Sequence, residues 1–192
     1  MAALFPRWTN AVYATALVAL VVVATAAIAA PMILMRTSYA TDQGRPIVQP
    51  VAFDHRHHVR DDGIDCLYCH PDAEREASAG IPATEVCMGC HGQVWPDSPQ
   101  LAGVRASWET GTAIGWKRVN DVPDHVYFHH GVHVRGGVGC VHCHGKVEDM
   151  ARVARFSPLT MGWCLDCHRH PPDRPDNGRK VTALTTCSAC HR

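Results

Sequence analysis

The feature that most constrains this chain is a five-residue pattern that occurs five times. It reads Cys, any two residues, Cys, His, and its copies stand at 66–70, 87–91, 140–144, 164–168 and 187–191, numbered here as sites 1 to 5 in chain order. The copies use all ten cysteines of the 192-residue chain. Any function assigned to the pattern must account for every cysteine and for the histidine that follows each pair.

Covalent attachment of haem explains the whole pattern. Two cysteines separated by two residues form thioethers with a porphyrin, and the histidine that follows binds its iron, as in c-type cytochromes. The predicted thioether residues are Cys66, Cys69, Cys87, Cys90, Cys140, Cys143, Cys164, Cys167, Cys187 and Cys190. The predicted proximal iron ligands are His70, His91, His144, His168 and His191. The sequence therefore predicts five c-type haems.

Two other kinds of cysteine site fit the pattern less well. A disulfide framework would suit an even number of cysteines in a secreted domain, but it needs no histidine after each pair. Structural zinc sites use cysteine pairs two at a time, whereas this chain has five pairs. Both alternatives leave the repeated histidine unexplained.

A second repeated pattern, F-x-H-x-x-H-V, precedes sites 1 and 3. Its copies, 53–59 and 128–134, are 75 residues apart, and the haem motifs follow at offsets of 74, from Cys66 to Cys140, and 77, from Cys87 to Cys164. The sequence therefore predicts two copies of a two-haem unit, at 53–91 and 128–168.

The repeated histidines are candidates for the second axial position of four irons. They are His55, His58, His130 and His133. Histidines three residues apart lie on nearly the same face of a helix, so each pair could reach two different haems. We predict these four as distal ligands and expect closed, six-coordinate irons that transfer electrons. An open haem that reduces a nitrogen or sulfur oxyanion is the less favoured interpretation.

The distal ligand of the fifth iron is open to several candidates. The remaining ones are His57, His125, His129, His142, His170, Met150 and Met161. A methionine ligand would place one iron at a higher potential than its bis-histidine neighbours. We predict Met161, with Met150 as the alternative.

Composition after residue 36 indicates an unusual core. Leu, Ile, Val and Phe make up 28 of these 156 residues, about 18%, which is below the share of a normal globular domain. Near-zero net charge argues against plain disorder and against a nucleic-acid partner. We therefore predict a multihaem cytochrome c whose haems form the core, with mostly short α-helices and coil and little sheet.

The N-terminus carries a candidate membrane anchor. Residues 8–35 contain no charged side chain, and the apolar run is long enough to cross a bilayer. A cleaved signal peptide is the alternative, but the run is longer than a usual signal core. Because c-type haems are attached outside the cytoplasmic membrane, we expect a single-pass inner-membrane protein with its haem domain on the periplasmic or extracellular side.

The predicted domain organisation follows from these segments. An anchor covers 1–36, a linker with Gly44, Pro46 and Pro50 covers 37–52, and a pentahaem domain covers 53–192. A polar, proline-rich stretch after His170 links the second repeat unit to site 5.

Several segments resemble the membrane-anchored pentahaem cytochrome (ActA-type) subunit of alternative complex III, and more distantly the cytochrome c3 class. They include FDHRHHVRDDGIDCLYCH, VPDHVYFHHGVHV, GVGCVHCHGKVEDM and SPLTMGWCLDCHRHP, and the similarity covers roughly residues 51–172. The family's histidine pattern, as it matches this chain, does not require His125 or His142.

The resemblance implies an electron-transfer subunit of a quinol:acceptor oxidoreductase. Its expected partners are a molybdopterin-like iron–sulfur subunit, polytopic quinol-binding membrane subunits, and a monohaem cytochrome or other soluble periplasmic acceptor. The competing interpretation is a stand-alone quinol dehydrogenase of the NapC/NrfH type. That group's C-x-x-C-H-x-M feature is missing here, since Pro71 and Asp72 follow His70.

Overall fold

A computed structural model describes residues 6, 8–170 and 185–191. Arg7 and residues 171–184, most of the predicted linker to site 5, lie outside the described residues. The chain divides into two compact units, Met1–Gln43 and Gly44–Arg192. The division falls within the predicted linker at 37–52.

The first unit contains α1, Thr9–Leu34, and the short α2, Ser38–Thr41. At 1.5 Å per residue the 26 residues of α1 span about 39 Å, more than the roughly 30 Å of a hydrocarbon layer. The hydroxyls of Thr15 and Thr25 donate to backbone carbonyls one turn earlier, each at 2.8 Å. The helix thus satisfies its own polar groups and is long and apolar enough to span a membrane, a property that signal sequences share.

The second unit consists of short helices joined by irregular chain. Its α-helices in the described residues are α3 (Cys66–Cys69), α4 (Thr84–His91), α5 (Ala102–Thr110), α6 (His130–Arg135), α7 (Cys140–His144), α8 (Met161–Arg169) and α9 (Cys187–Cys190). A π-helical turn covers Arg56–Asp61, and 3-10 turns cover Pro71–Glu74, Pro99–Leu101 and Val147–Asp149. Within this described part, extended backbone pairs at isolated bridges, such as the one between Pro46 and Ala154, and not in longer strands. The predicted helix-and-coil class is confirmed.

Protein side chains alone build almost no core. In the part of the chain that the structure describes, the buried apolar side chains are Val51, Ala73 and Val104. Three small side chains remove too little apolar area from water to hold about 150 residues together. Flat porphyrins bound between the short helices would supply the missing apolar surface, so this architecture fits a haem-cored domain.

The two repeat units meet where α6 packs on the Pro71–Glu74 turn. The amide of Gly131 donates to the Glu76 carbonyl at 3.1 Å, and that of His130 donates to Ala77 at 3.2 Å. A Cβ on Gly131 would lie 2.7 Å from the carbonyl oxygen of the last residue of that turn. This close backbone contact requires glycine.

Candidate haem-binding sites

Each attachment motif lies in a single helical turn. At site 1 the Asp65 carboxylate accepts the Leu67 amide at 2.8 Å and starts the turn, and the His70 amide returns to the Cys66 carbonyl at 2.9 Å. Cysteines three residues apart project from the same face of such a turn. One flat group could therefore be linked at both sulfurs while the histidine that ends the turn reaches its centre.

Hydrogen bonds orient the proximal imidazoles. The Nδ1 atoms of three of them lie 3.0 to 3.1 Å from backbone carbonyl oxygens, pairing His70 with Gly80, His91 with Val94, and His191 with His125. A proton on Nδ1 that is donated to a carbonyl leaves Nε2 as the free lone pair. These rings are therefore held in the tautomer that binds a metal through Nε2.

His144 is oriented by a side chain instead. Its Nδ1 lies 3.2 Å from the amide group of Asn120, whose Oδ1 is buried with no hydrogen-bond partner. When Nε2 binds iron, Nδ1 carries the proton and needs an acceptor. The amide nitrogen of Asn120 faces Nδ1 in this structure, and a rotation of that amide by half a turn would present the unpaired Oδ1 as the acceptor.

The two F-x-H-x-x-H-V segments have the same ring geometry. The Phe53 ring meets His55 edge-on at 4.7 Å and 84°, and stacks on His58 at 4.4 Å and 26°. The Phe128 ring meets His130 at 4.7 Å and 88°, and stacks on His133 at 4.5 Å and 25°. Each phenylalanine thus fixes the two imidazoles beside it.

Hydrogen bonds complete this orientation for three of the four rings. The Nδ1 atoms of His58, His130 and His133 lie 2.9 to 3.1 Å from backbone carbonyl oxygens, those of Asp54, Ala77 and His129 respectively. As in the proximal rings, Nε2 is left free. The predicted distal ligands are therefore prepared to bind a metal.

Three predicted distal imidazoles face three predicted proximal imidazoles, and the distance between ring centres is nearly the same in each pair. The ring centres lie 6.0 Å apart for His58 and His91, 6.3 Å for His130 and His144, and 6.1 Å for His133 and His168. An iron about 2 Å from each ligating nitrogen, with each ring centre about 1 Å further back, requires about 6 Å. These residues fit a haem iron between each pair.

His55 neighbours His70 and is the residue predicted to face it at site 1. Burial, followed by the neighbouring imidazoles of His70 and His58, lowers the pKa of His55 to about 4. Burial, followed by His130 and His70, also lowers the pKa of His144. Both rings are therefore kept neutral near pH 7, the form that a metal ligand requires.

The surroundings of site 5 differ from those of the other sites. The His125 and His191 rings lie 5.5 Å apart and within 20° of parallel, and the His125 carbonyl oxygen is 3.1 Å from His191 Nδ1. Nδ1 and Nε2 point to nearly opposite sides of an imidazole. A histidine side chain is too short to accept a bond on the Nδ1 side and also place its ring beyond an iron on the Nε2 side. His125 therefore orients His191 without facing its metal-binding nitrogen.

The predicted methionines lie in different settings. Met161 is the first residue of α8 and is 64% exposed, whereas Met150 is half-buried after the Val147–Asp149 turn. Met161 shares a helix face with Cys164, three residues later. Burial, followed by the Cys190 thiol of site 5, raises the pKa of the Cys164 thiol. Met161 thus lies on the face of α8 that neighbours site 5.

Thiols of different motifs also lie close together. Burial, followed by the neighbouring Cys140 thiol of site 3, raises the pKa of the Cys66 thiol of site 1. Burial and then Cys90 raise the pKa of Cys69, while burial and then Cys69 raise the pKa of Cys87. The sites are therefore packed against one another.

Two comparisons with known proteins agree with this geometry. Residues 126–192 match the profile of the family described as "Cytochrome c7 and related cytochrome c". The chain is also 36% identical to the "Menaquinone reductase, multiheme cytochrome c subunit" of Nitratidesulfovibrio vulgaris (strain Hildenborough), in an alignment that covers 75% of this chain and 77% of that subunit. This chain is a multihaem cytochrome c.

Membership in the multihaem cytochromes c confirms the predicted fold class and covalently bound c-type haem. The ligand residues themselves, and the number of five haems, stay predictions. Sequence reasoning missed Asn120 and the carbonyl groups that orient the imidazoles. A backbone carbonyl carries no sequence signal, and a single asparagine in irregular chain has no pattern that marks it.

Proposed function

We propose that this multihaem cytochrome c is the electron-transfer subunit of a membrane quinol:acceptor oxidoreductase. It would carry electrons through five c-type haems between an iron–sulfur subunit and a periplasmic cytochrome or other soluble acceptor. The observation that carries the proposal is the set of three imidazole pairs whose ring centres lie 6.0 to 6.3 Å apart. Such pairs close both axial positions of an iron.

The residues that would hold the haems follow from the site geometry. The histidine pairs are His55 with His70, His58 with His91, His130 with His144, and His133 with His168. His191 is the proximal ligand of site 5, and Met161 is its proposed distal ligand. Each haem would be linked through the two cysteines of its own motif.

A bound haem supplies reversible one-electron chemistry at its iron. The chain's own residues fix the imidazoles, burial lowers the pKa of His55, His133 and His144 so that these rings stay neutral, and the predicted ligands would leave no axial position for a substrate. Phe53 and Phe128 hold the distal rings, while backbone carbonyls and Asn120 hold the proximal ones. Rings that are already oriented lower the reorganisation needed when an iron changes oxidation state. This arrangement suits electron transfer better than catalysis on a small molecule.

Site 5 would differ from the other four sites in its redox potential. A methionine thioether favours ferrous iron, so a His/Met site lies at higher potential than bis-histidine sites. Support for Met161 comes from its position on the face of α8 that neighbours site 5, and from its 64% exposure, which leaves its sulfur accessible. His125, the other nearby candidate, faces the wrong nitrogen of His191.

The quinone link is supported by the relative, which is a menaquinone reductase subunit by name. The resemblance to the ActA-type subunit makes alternative complex III our preferred assembly. It adds a molybdopterin-like iron–sulfur partner and polytopic quinol-binding subunits in the inner membrane. In this proposal α1 is a retained single-pass anchor, and the haem domain lies on the periplasmic side.

Purification through the N-terminal anchor in mild detergent tests the assembly. We expect co-purification of an iron–sulfur subunit and multispan membrane proteins, together with haem-dependent oxidation of a menaquinol analogue by the complex. A solitary chain that is reduced directly by the menaquinol analogue would instead establish the NapC/NrfH-type alternative. Net reduction of menaquinone by a reduced periplasmic donor would establish the direction that the relative's name describes.

A further inference from the structure

The five sites have an order in space that differs from their order in the chain. We propose that they form one unbranched row in the order 2, 1, 3, 4, 5, so that sites 2 and 5 are its ends. This inference rests on the proposed function, since it assumes that all five motifs carry haem. It follows from which thiols and imidazoles the fold brings together.

Sites 1 and 2 are neighbours within the first repeat unit. The second cysteine of site 1, Cys69, interacts with both cysteines of site 2, Cys87 and Cys90. Phe53 also contacts the distal imidazoles of both sites, at 4.7 and 4.4 Å. One aromatic ring thus contacts the predicted distal ligand of each site.

Sites 3 and 4 meet in the same way within the second unit. Its equivalent cysteine, Cys143, interacts with both cysteines of site 4, Cys164 and Cys167. Phe128 contacts the distal imidazoles of both sites, at 4.7 and 4.5 Å. The second cysteine of the first motif therefore makes the same connection in both units.

The two units join through sites 1 and 3. Cys66 and Cys140, the first cysteines of their motifs, are neighbours in the fold, and burial followed by the Cys140 thiol raises the pKa of Cys66. His130, the distal residue of site 3, has both its backbone amide and its Nδ1 within 3.2 Å of the Ala77 carbonyl oxygen, in the chain that follows site 1. Equivalent residues meet, so the four sites run 2, 1, 3, 4 with a pseudo-two-fold relation at the centre.

Site 5 extends the row beyond site 4. Cys164 of site 4 neighbours Cys190 of site 5, and the Cys190 carbonyl accepts the Tyr127 amide at 2.8 Å, next to the Phe128 that stacks on His133. Site 5 therefore lies on the outer side of the second repeat unit.

The matching surface of the first unit is occupied by a protein helix. Position 84 corresponds to 161 at the same offset of 77, and here Thr84 replaces Met161. The Thr84 and Ser107 hydroxyls hydrogen-bond at 2.7 Å, and α5 packs on α4. The row therefore stops at site 2, whereas it continues to site 5 at the other end.

The order has a consequence for electron exchange with partners. Sites 1, 3 and 4 each have a neighbouring site on two sides, while sites 2 and 5 each have one. Electrons would pass along the row singly. A reduced one-electron donor would lose an electron at one end, and an oxidised one-electron acceptor, such as a ferric cytochrome, would gain one at the other end. No atom is transferred.

The decisive experiment is a cryo-electron microscopy structure of the haem-loaded full chain in its native complex. We expect the shortest iron–iron distances to join sites 2 and 1, 1 and 3, 3 and 4, and 4 and 5. Any other nearest-neighbour pair, such as sites 2 and 5, overturns the order. An intact mass without five haems would overturn the proposed function instead, so the two failures are distinguishable.

A matched pair of variants provides a second readout in solution. His55→Met changes the potential of site 1, an internal site, and His58→Met changes that of site 2, an end site. Neighbouring irons interact electrostatically, so we expect His55→Met to shift the midpoint potentials of two other haems and His58→Met to shift one. Equal numbers of shifted haems in the two variants would contradict the row.

Discussion

Replacing Gly131 by alanine should separate the two repeat units. The new Cβ would lie 2.7 Å from the carbonyl oxygen of Glu74, whereas an ordinary carbon–oxygen contact is about 3.3 Å or longer. α6 would therefore have to move by about 0.6 Å. Two backbone hydrogen bonds would then be stretched beyond hydrogen-bonding distance. They run from the His130 amide to the Ala77 carbonyl, at 3.2 Å, and from the Gly131 amide to the Glu76 carbonyl, at 3.1 Å.

The expected loss of stability follows from these contacts. Two hydrogen bonds contribute about 1 kcal/mol each. If the helix stays in place instead, the overpacked contact costs about 1–3 kcal/mol. Either response destabilises the haem-loaded domain by about 1–3 kcal/mol. It also displaces His130 and His133, so part of the low-spin signal should become high-spin.

Gly162→Ala is the matched control. Gly162 is also in a short helix, but its added Cβ would meet no atom within 4 Å. Alanine should be neutral or stabilising there, by up to about 1 kcal/mol. Thermal unfolding followed in the Soret band, with electron paramagnetic resonance for spin state, measures both variants. A Gly131→Ala protein as stable and as fully low-spin as Gly162→Ala would refute the close packing of the two units.

Three further changes test individual contacts. Met161→Ala should abolish the near-infrared band of a methionine-ligated ferric haem and leave the other four haems low-spin, whereas Met150→Ala should retain the band; the reverse result would transfer the assignment to Met150. Ser157→Ala should destabilise the domain by about 1 kcal/mol in chemical unfolding, because this buried hydroxyl donates to the Cys143 carbonyl at 2.7 Å, and an unchanged midpoint would contradict that role. The side-chain hydrogen bond of Arg56 lowers the pKa of Asp54 from 3.8 to about 2, so its stabilisation is complete above pH 3.8 and is lost as pH falls through 2. Arg56→Gln should return that carboxyl titration towards 3.8 in nuclear magnetic resonance of the reduced protein, while Arg60→Gln, which removes the partner of Asp61, should not.

The sequence predicted those parts of the sites whose chemistry requires particular residue types. Two cysteines and a histidine have to stand together to attach a porphyrin, so the attachment motifs could be found by spacing alone. The F-x-H-x-x-H-V segments could be found by repetition, and their imidazoles do face proximal ones, as with His133 and His168 at 6.1 Å. The apolar run of α1 could also be recognised in the sequence, because the thickness of a bilayer sets the length of a membrane-spanning helix.

The contacts between the units could not be predicted in this way. The helical spacing suggested one regular helix for each distal pair, but Arg56–Asp61 forms a π-helical turn whereas His130–Arg135 is α-helical. Gly131 occupies the position that corresponds to Arg56 in the first unit, and an added Cβ at Gly131 would collide with the backbone of the other unit. A structural difference between two repeats leaves no periodic pattern in the sequence, so it could not be predicted from repetition.

Site 5 shows the same limit in the choice of ligand. By residue type alone, His125 was a reasonable candidate for the second axial ligand of the iron that His191 would bind. The two rings do lie only 5.5 Å apart. The direction of one hydrogen bond decides against it, because the His125 carbonyl is on the Nδ1 side of His191. A ligand must approach along the Nε2 lone pair, so nearness alone cannot assign it. Our proposal therefore assigns this position to Met161 of α8, the helix whose Cys164 neighbours Cys190.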